Sequence, residues 1–135
     1  MRIIFVRHGH PDYKNDCLTP LGHEQAKAAA ARLQNEKVDA WLSGLGYDRE
    51  GEYYRVREAN DQTIMLVSHG GSSSCVLSHL FNLPLPFVLK NIPANLTGIT
   101  VVKMAGDVGS LISPKFEMVN DARHIQDVTD PTYDN

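Results

Sequence analysis

The feature that most constrains this chain is a repeated local context, an apolar, β-prone run that stops at a histidine followed by glycine. Ile3 to Val6 leads into Arg7-His8-Gly9, and Thr63 to Ser68 leads into His69-Gly70-Gly71. Such a continuous run suits a strand buried on both faces of a parallel sheet. In open α/β sheets, ligands gather outside the carboxyl ends of the strands, where strand order reverses. Two adjacent parallel strands would therefore bring His8 and His69 together at one site. The glycine after each histidine lets the backbone pass close to a ligand with no Cβ in the way, which makes Gly9 and Gly70 candidate binding positions.

The segments between these runs read as helix and strand in alternation. A polar loop from His10 to Leu18 ends at Thr19 as N-cap with Pro20 at the first helical position. Leu21 to Leu33 is alanine-rich and amphipathic, with Leu21, Ala28 and Leu33 facing inward. Val38 to Leu42 offers a second strand, and Gly44, Gly46 and Gly51 interrupt the stretch after it. Ser72 to Phe81 predicts a helix stopped by Asn82 and Pro84. Thr97 to Met104 alternates like a strand, Leu111 to Val119 predicts a last one, and the polar tail from Asp127 is expected to fray. With no repeats or linkers, 135 residues fit one domain. The expected fold is α/β: a three-layer sandwich with a mostly parallel central sheet and helices on its faces.

Charge and composition exclude several classes. The formal charge of −3 leaves no basic footprint for a nucleic-acid partner. No apolar stretch approaches the roughly 20 residues needed to span a bilayer, and the N-terminal run is too short for a signal peptide. Cys17 and Cys75 make no disulfide framework. The expected location is cytoplasmic, with no membrane partner. A phosphate site would need its positive charge concentrated locally. Arg7 supplies a fork suited to phosphate oxygens, and Gly70-Gly71-Ser72-Ser73-Ser74 opens a helix whose amides and dipole favour an anion.

Arg7-His8-Gly9 after an N-terminal strand, then Leu18-Thr19-x-x-Gly22-x-x-Gln25-Ala26, is similar to the opening of the histidine phosphatase (phosphoglycerate mutase-like) superfamily. Val67-Ser68-His69-Gly70-Gly71 resembles that family's second histidine motif, and Asn120-Asp121-x-x-His124-Ile125 its closing segment. The resemblance implies a phosphoglycerate mutase-like fold and a phosphomonoester hydrolase. His8 would attack phosphorus as a neutral imidazole and form a phosphohistidine that water then hydrolyses. Arg7 and His69 would bind the equatorial oxygens and stabilise charge in the transition state. It implies no cofactor and no metal, and a phosphorylated small molecule or phosphate anion as partner.

The middle of the family pattern is missing. A Ser-Pro-Leu-x-Arg-Ala-x-x-Thr-Ala motif normally follows the second strand and supplies another arginine, and a later glutamate serves as general acid. Here Ser43-Gly44-Leu45 is followed by Tyr47 where the arginine would fall. The favoured alternative is that Trp41-Leu42-x-x-Leu45-Gly46 ends a later helix at a glycine stop. The chain would then pass from Ala40 to Trp41 across an apparent deletion, leaving the fold reduced in size.

Arg49 is the candidate substitute guanidinium, with Glu50 or Glu52 as substitute acid. Their plain reading is solvated loop charges. Losing one preorganised donor costs ~10²–10³ in rate, and losing acid assistance ~10²–10⁴. The alternative function is thus a phosphate-ligand binding protein with impaired turnover. Surface left uncovered by a missing insertion would favour a homodimer.

The other histidines and aromatics carry weaker signals. His8 and His10 alternate as a metal pair would, but no third ligand has suitable spacing. His10 is read as pocket lining, His23 and His79 as surface or packing residues, and His124 as a structural residue. Trp41, Tyr47, Tyr53 and Tyr54 are read as half-buried packing.

Overall fold

The computed structural model describes residues 1–7 and 38–125. His8, Gly9, His10, Cys17, His23 and the helix expected over Leu21 to Leu33 lie outside them. The main sheet has strands β1 (Arg2–Arg7), β4 (Thr63–Ser68), β5 (Ile99–Lys103) and β7 (Lys115–Asp121), in the order β4-β1-β5-β7. A second sheet has the order β2-β3-β6, formed by Tyr47–Glu50, Tyr53–Val56 and Leu111–Ile112. Residues 38–44 are helical (α1), followed by α2 (Gly70–Phe81), α3 (Leu85–Asn91) and a short 3-10 turn at Arg123–Ile125.

The two apolar runs pair as expected. β1 and β4 are parallel neighbours in continuous register, from Arg2 opposite Thr63 to Arg7 opposite Ser68. The rest of the sheet corrects the sequence-based expectation, because β5 runs antiparallel to β1 and β7 antiparallel to β5. The cause lies between β4 and β5. One crossover helix would return the chain for another parallel strand. Here α2 carries it away from the carboxyl ends of β1 and β4, and the short α3 with residues 92–98 brings it back. β5 therefore starts at the end where β1 and β4 stop.

Local signals explain the helices. Asn82 ends α2 in the left-handed region at φ 54, and the amide of Leu83 bonds back to the Ser78 carbonyl at 3.0 Å. Pro84 caps α3 and Pro86 lies in its first turn, where proline loses no helical hydrogen bond. Val38 to Leu42 is helix and not the strand expected; the alternative reading places a helix end only from Trp41 on, whereas the helix here is continuous from Val38. Gly46 then turns the chain into β2 at φ 90, and a Cβ there would lie 2.7 Å from the Glu58 carbonyl oxygen. Leu111 to Val119 is two strands, broken at Ser113-Pro114, where proline has no amide for a ladder.

Both sheets share one core. Ile3, Phe5 and Val102 from the first sheet are buried with Tyr47, Tyr54, Val56 and Ile112 from the second. Leu42, Leu77, Leu80 and Val88 add the helices. Phe81 of α2 stacks on Phe116 of β7 with ring centroids 4.0 Å apart. Tyr47 donates from its buried hydroxyl to the Met104 carbonyl at 3.3 Å, and burial pushes its pKa up.

Burial on both faces is not what the described residues show. Ile3 and Phe5 are buried while Ile4 and Val6 are half-buried, and Met65 and Val67 of β4 are 62% and 65% exposed. No helix among the described residues is long and apolar enough to cross a membrane.

Candidate functional site

The parallel register sets Arg7 and Ser68 side by side as the last residues of β1 and β4. His69 follows as the N-cap residue of α2, in extended backbone at φ −77, ψ 152, and its carbonyl accepts the Ser73 amide at 3.0 Å. The amides of the first helical turn have no partner within the helix, and no acidic side chain occupies that turn. The positive end of α2 thus opens at the carboxyl edge of the sheet. Burial of Ser73 and the 2.8 Å contact of its hydroxyl with that of Ser68 tie the helix to the strand.

Arg7 is the cation at this edge. A Cβ at Gly70 would sit 3.5 Å from both Cδ and Nε of Arg7, so the arginine stem packs directly against the start of α2. Nη1 donates to the Ala94 carbonyl at 2.6 Å. Nε is buried and makes no hydrogen bond among the described residues. A buried guanidinium donor beside a helix N-terminus is suited to an oxyanion, since buried donors in folded proteins are nearly always paired. Ser73, Ser74, Pro93, Ala94 and Thr100 line the depression around Arg7. Among the described residues no group of three His, Cys, Asp or Glu side chains is placed to hold a metal.

The structure does not bring Arg49 or its acidic neighbours to this edge. Arg49 donates to the Gly51 carbonyl at 2.6 Å, the Tyr54 hydroxyl at 2.6 Å and the His79 carbonyl at 3.1 Å, and also to Asn82 Oδ1. His79 and Asn82 mark the carboxyl end of α2, and twelve residues of helix span roughly 18 Å. The β2–β3 hairpin delivers Arg49 to the wrong end of that helix for a substrate contact. Glu50 is in an exposed ion pair with Arg55 at 2.6 Å, which lowers its pKa, and Glu52 lies in the hairpin turn. None of the three substitutes the sequence offered reaches the site.

The remaining candidates have structural partners. His79 contacts Asp39 at 2.7 Å, joining α2 to α1. Tyr54 is buried, which raises its pKa, while Tyr53 is 51% exposed. Burial also raises the pKa of the Cys75 thiol. His124 meets the Thr97 hydroxyl at 3.0 Å, and Asn120 Oδ1 accepts the Asn95 amide at 2.7 Å. Sequence reasoning saw Asn120 and His124 as a motif but missed what they hold, the loop that carries Ala94. A backbone carbonyl has no side-chain signature to announce it.

The arrangement defines an α/β protein with a phosphate-suited edge at the ends of two parallel strands. A family model described as the histidine phosphatase superfamily (branch 1) matches residues 53–115, which contain His69 and the Ala94 loop. Among solved structures, a histidine-to-alanine mutant of a phosphoserine phosphatase from Entamoeba histolytica, in complex with phosphoserine, is similar. Its TM-score is 0.54 at 13% identity, over 92% of this chain and 98% of that one. At that identity the likeness speaks for the fold. No curated protein matches. The family match is to residues 53–115, and the fold likeness is in keeping with it.

Proposed function

We propose that this protein hydrolyses phosphomonoesters of small molecules through a phosphohistidine on His8. The observation that carries the proposal is Arg7, packed against Gly70 at the start of α2 with Nε buried and unpaired among the described residues. In the sequence His8 and Gly9 follow Arg7 as His69 and Gly70 follow Ser68.

In the reaction, an imidazole nitrogen of His8 bonds to phosphorus as the ester oxygen leaves with the bonding pair and takes a proton from solvent. Water then attacks phosphorus, the P–N bond breaks, and inorganic phosphate departs. Arg7, His69 and the amides from Gly70 onward hold the equatorial oxygens through both steps. No cofactor enters the scheme.

A second reading has its own support. Glu50 is paired with Arg55 and Glu52 lies in the β2–β3 turn, so neither substitute acid stands ready to protonate a poor leaving group. That favours a phosphate-ligand binding protein with little turnover. Hydrolysis of an aryl phosphate with an activated leaving group, wild type against His8→Ala, separates the two. Turnover that disappears in His8→Ala supports the phosphatase, and its absence in folded wild type favours the binding protein. Turnover that survives in His8→Ala removes His8 as nucleophile. The homodimer is a further proposal, and sedimentation of the full chain reads it directly.

A further inference from the structure

We infer that Asn120 is a positioning residue that sets the aim of Arg7 by holding the loop that carries Ala94. The inference rests on the phosphate-binding role proposed for Arg7.

A guanidinium has five N–H donors, yet the bond to the Ala94 carbonyl is the one hydrogen bond that Arg7's side chain makes among the described residues. Its aim therefore depends on where that carbonyl sits. Ala94 lies in residues 92–98, between α3 and β5, where no ladder or helix fixes the backbone. Something else has to.

Asn120 supplies the restraint from across the sheet. Its Oδ1 accepts the amide of Asn95, the residue next to Ala94, at 2.7 Å. The same atom lies where a Cβ on Gly98 would be, 2.3 Å away, so the loop closes onto the asparagine only because residue 98 is glycine. Asn120 is itself held in the left-handed region at φ 49, with its amide on the Thr100 hydroxyl at 3.0 Å. The irregular β5–β7 pairing nearby, with register shifts between Ile99 and Val102, accommodates that turn of the backbone.

The loop is in turn tied to Arg7. The Thr97 amide donates to the Arg7 carbonyl at 3.0 Å, and the Gly98 amide to the Asn95 carbonyl at 2.9 Å. Thr97 adopts φ 55, a conformation uncommon for a β-branched residue, and its hydroxyl meets His124. Asn120 and His124 thus restrain from one side a loop that meets Arg7 on the other. A packing role alone would ask for none of this directed hydrogen bonding onto one turn.

The test measures affinity for inorganic vanadate, an oxyanion probe, in the full chain. Asn120→Gly keeps the left-handed backbone and removes the acceptor; it is expected to weaken vanadate about fivefold, the worth of one hydrogen bond. Asn120→Asp keeps the acceptor and is expected to restore most of that loss. In an Arg7→Ala background, Asn120→Gly is expected to have no further effect, because its influence passes through Arg7. An equal loss in that background, or no loss in folded Asn120→Gly, overturns the inference. If Asn120→Gly does not fold, Asn120→Ser shortens the side chain out of reach of Asn95 and carries the same expectation. Unchanged affinity in Arg7→Ala alone would sink the phosphate role of Arg7, and the inference with it. Loss in Arg7→Ala without loss in Asn120→Gly would sink the inference alone.

Discussion

The Arg49 guanidinium donates to the Tyr54 hydroxyl at 2.6 Å while lying 5.0 Å from the centroid of its ring, at the end of α2 opposite His69. This clasp joins the β2–β3 hairpin to the end of the helix through the His79 carbonyl and Asn82. Arg49→Ala is expected to lower stability by about 1 kcal/mol, since it takes a donor from the hydroxyl of buried Tyr54 and from the half-buried His79 carbonyl. Affinity for phosphate should not change. Denaturant unfolding and vanadate binding on the same variant check both halves, and a large loss of affinity would return Arg49 to the site.

Arg7→Lys keeps the charge and loses the planar fork. An ammonium cannot hold the Ala94 carbonyl and present two parallel donors to an oxyanion at once. Vanadate affinity is expected to fall by roughly tenfold or more, as charge-assisted hydrogen bonds are worth about 1.5–3 kcal/mol. A lysine variant binding as tightly as wild type would show that charge alone suffices.

Gly98→Ala places a Cβ 2.3 Å from Asn120 Oδ1 and 3.0 Å from the Asn95 carbonyl oxygen. The strain is expected to cost about 1–3 kcal/mol, the usual range for overpacking. Gly70→Ala meets its neighbours at ordinary contact distances, 3.4–3.5 Å, and is expected to change the melting temperature little. Thermal melts of the pair test the contrast, and equal melts would contradict the close approach at Gly98.

Asp121 gives a pH dependence with a definite sign. The Arg123 side chain, 2.9 Å from Oδ1 through Nε, holds its carboxyl down to about 2, and the Arg123 amide adds a 3.0 Å bond. A carboxylate whose pKa is depressed on folding contributes stability that is full above its ordinary 3.8 and lost as pH falls through about 2. Arg123→Ala should move the Asp121 titration part of the way back toward 3.8, because the side-chain bonds are lost while the backbone amide of residue 123 remains. Carboxyl chemical shifts followed from about pH 5 down to about pH 1.5 read this directly. A midpoint unaltered by the substitution would mean that Arg123 is not the cause.

The local elements were legible because their signals are local. Ile3 to Val6 and Thr63 to Ser68 show as β-prone runs, and Asn82 with Pro84 marks the end of α2. Leu85–Asn91 went unread as a helix, since Pro84 and Pro86 look like loop punctuation until proline in a first turn is seen to be harmless. That one missed element hid the reversal of β5. The fate of Arg49 was out of reach for a different reason, because its partners His79 and Asn82 lie about thirty residues away.

By itself the sequence determined that one strand ends at Arg7 and another just before His69, and that a helix starts directly after His69. Periodicity, caps and glycines act over a few residues, so they can be read without the fold. Tertiary structure alone decided the direction of β5, the carbonyl that holds Arg7, and the end of α2 to which Arg49 belongs. Each of those depends on contacts between residues far apart in the chain, where loop closure and core packing select the partner and no neighbouring residue records the choice.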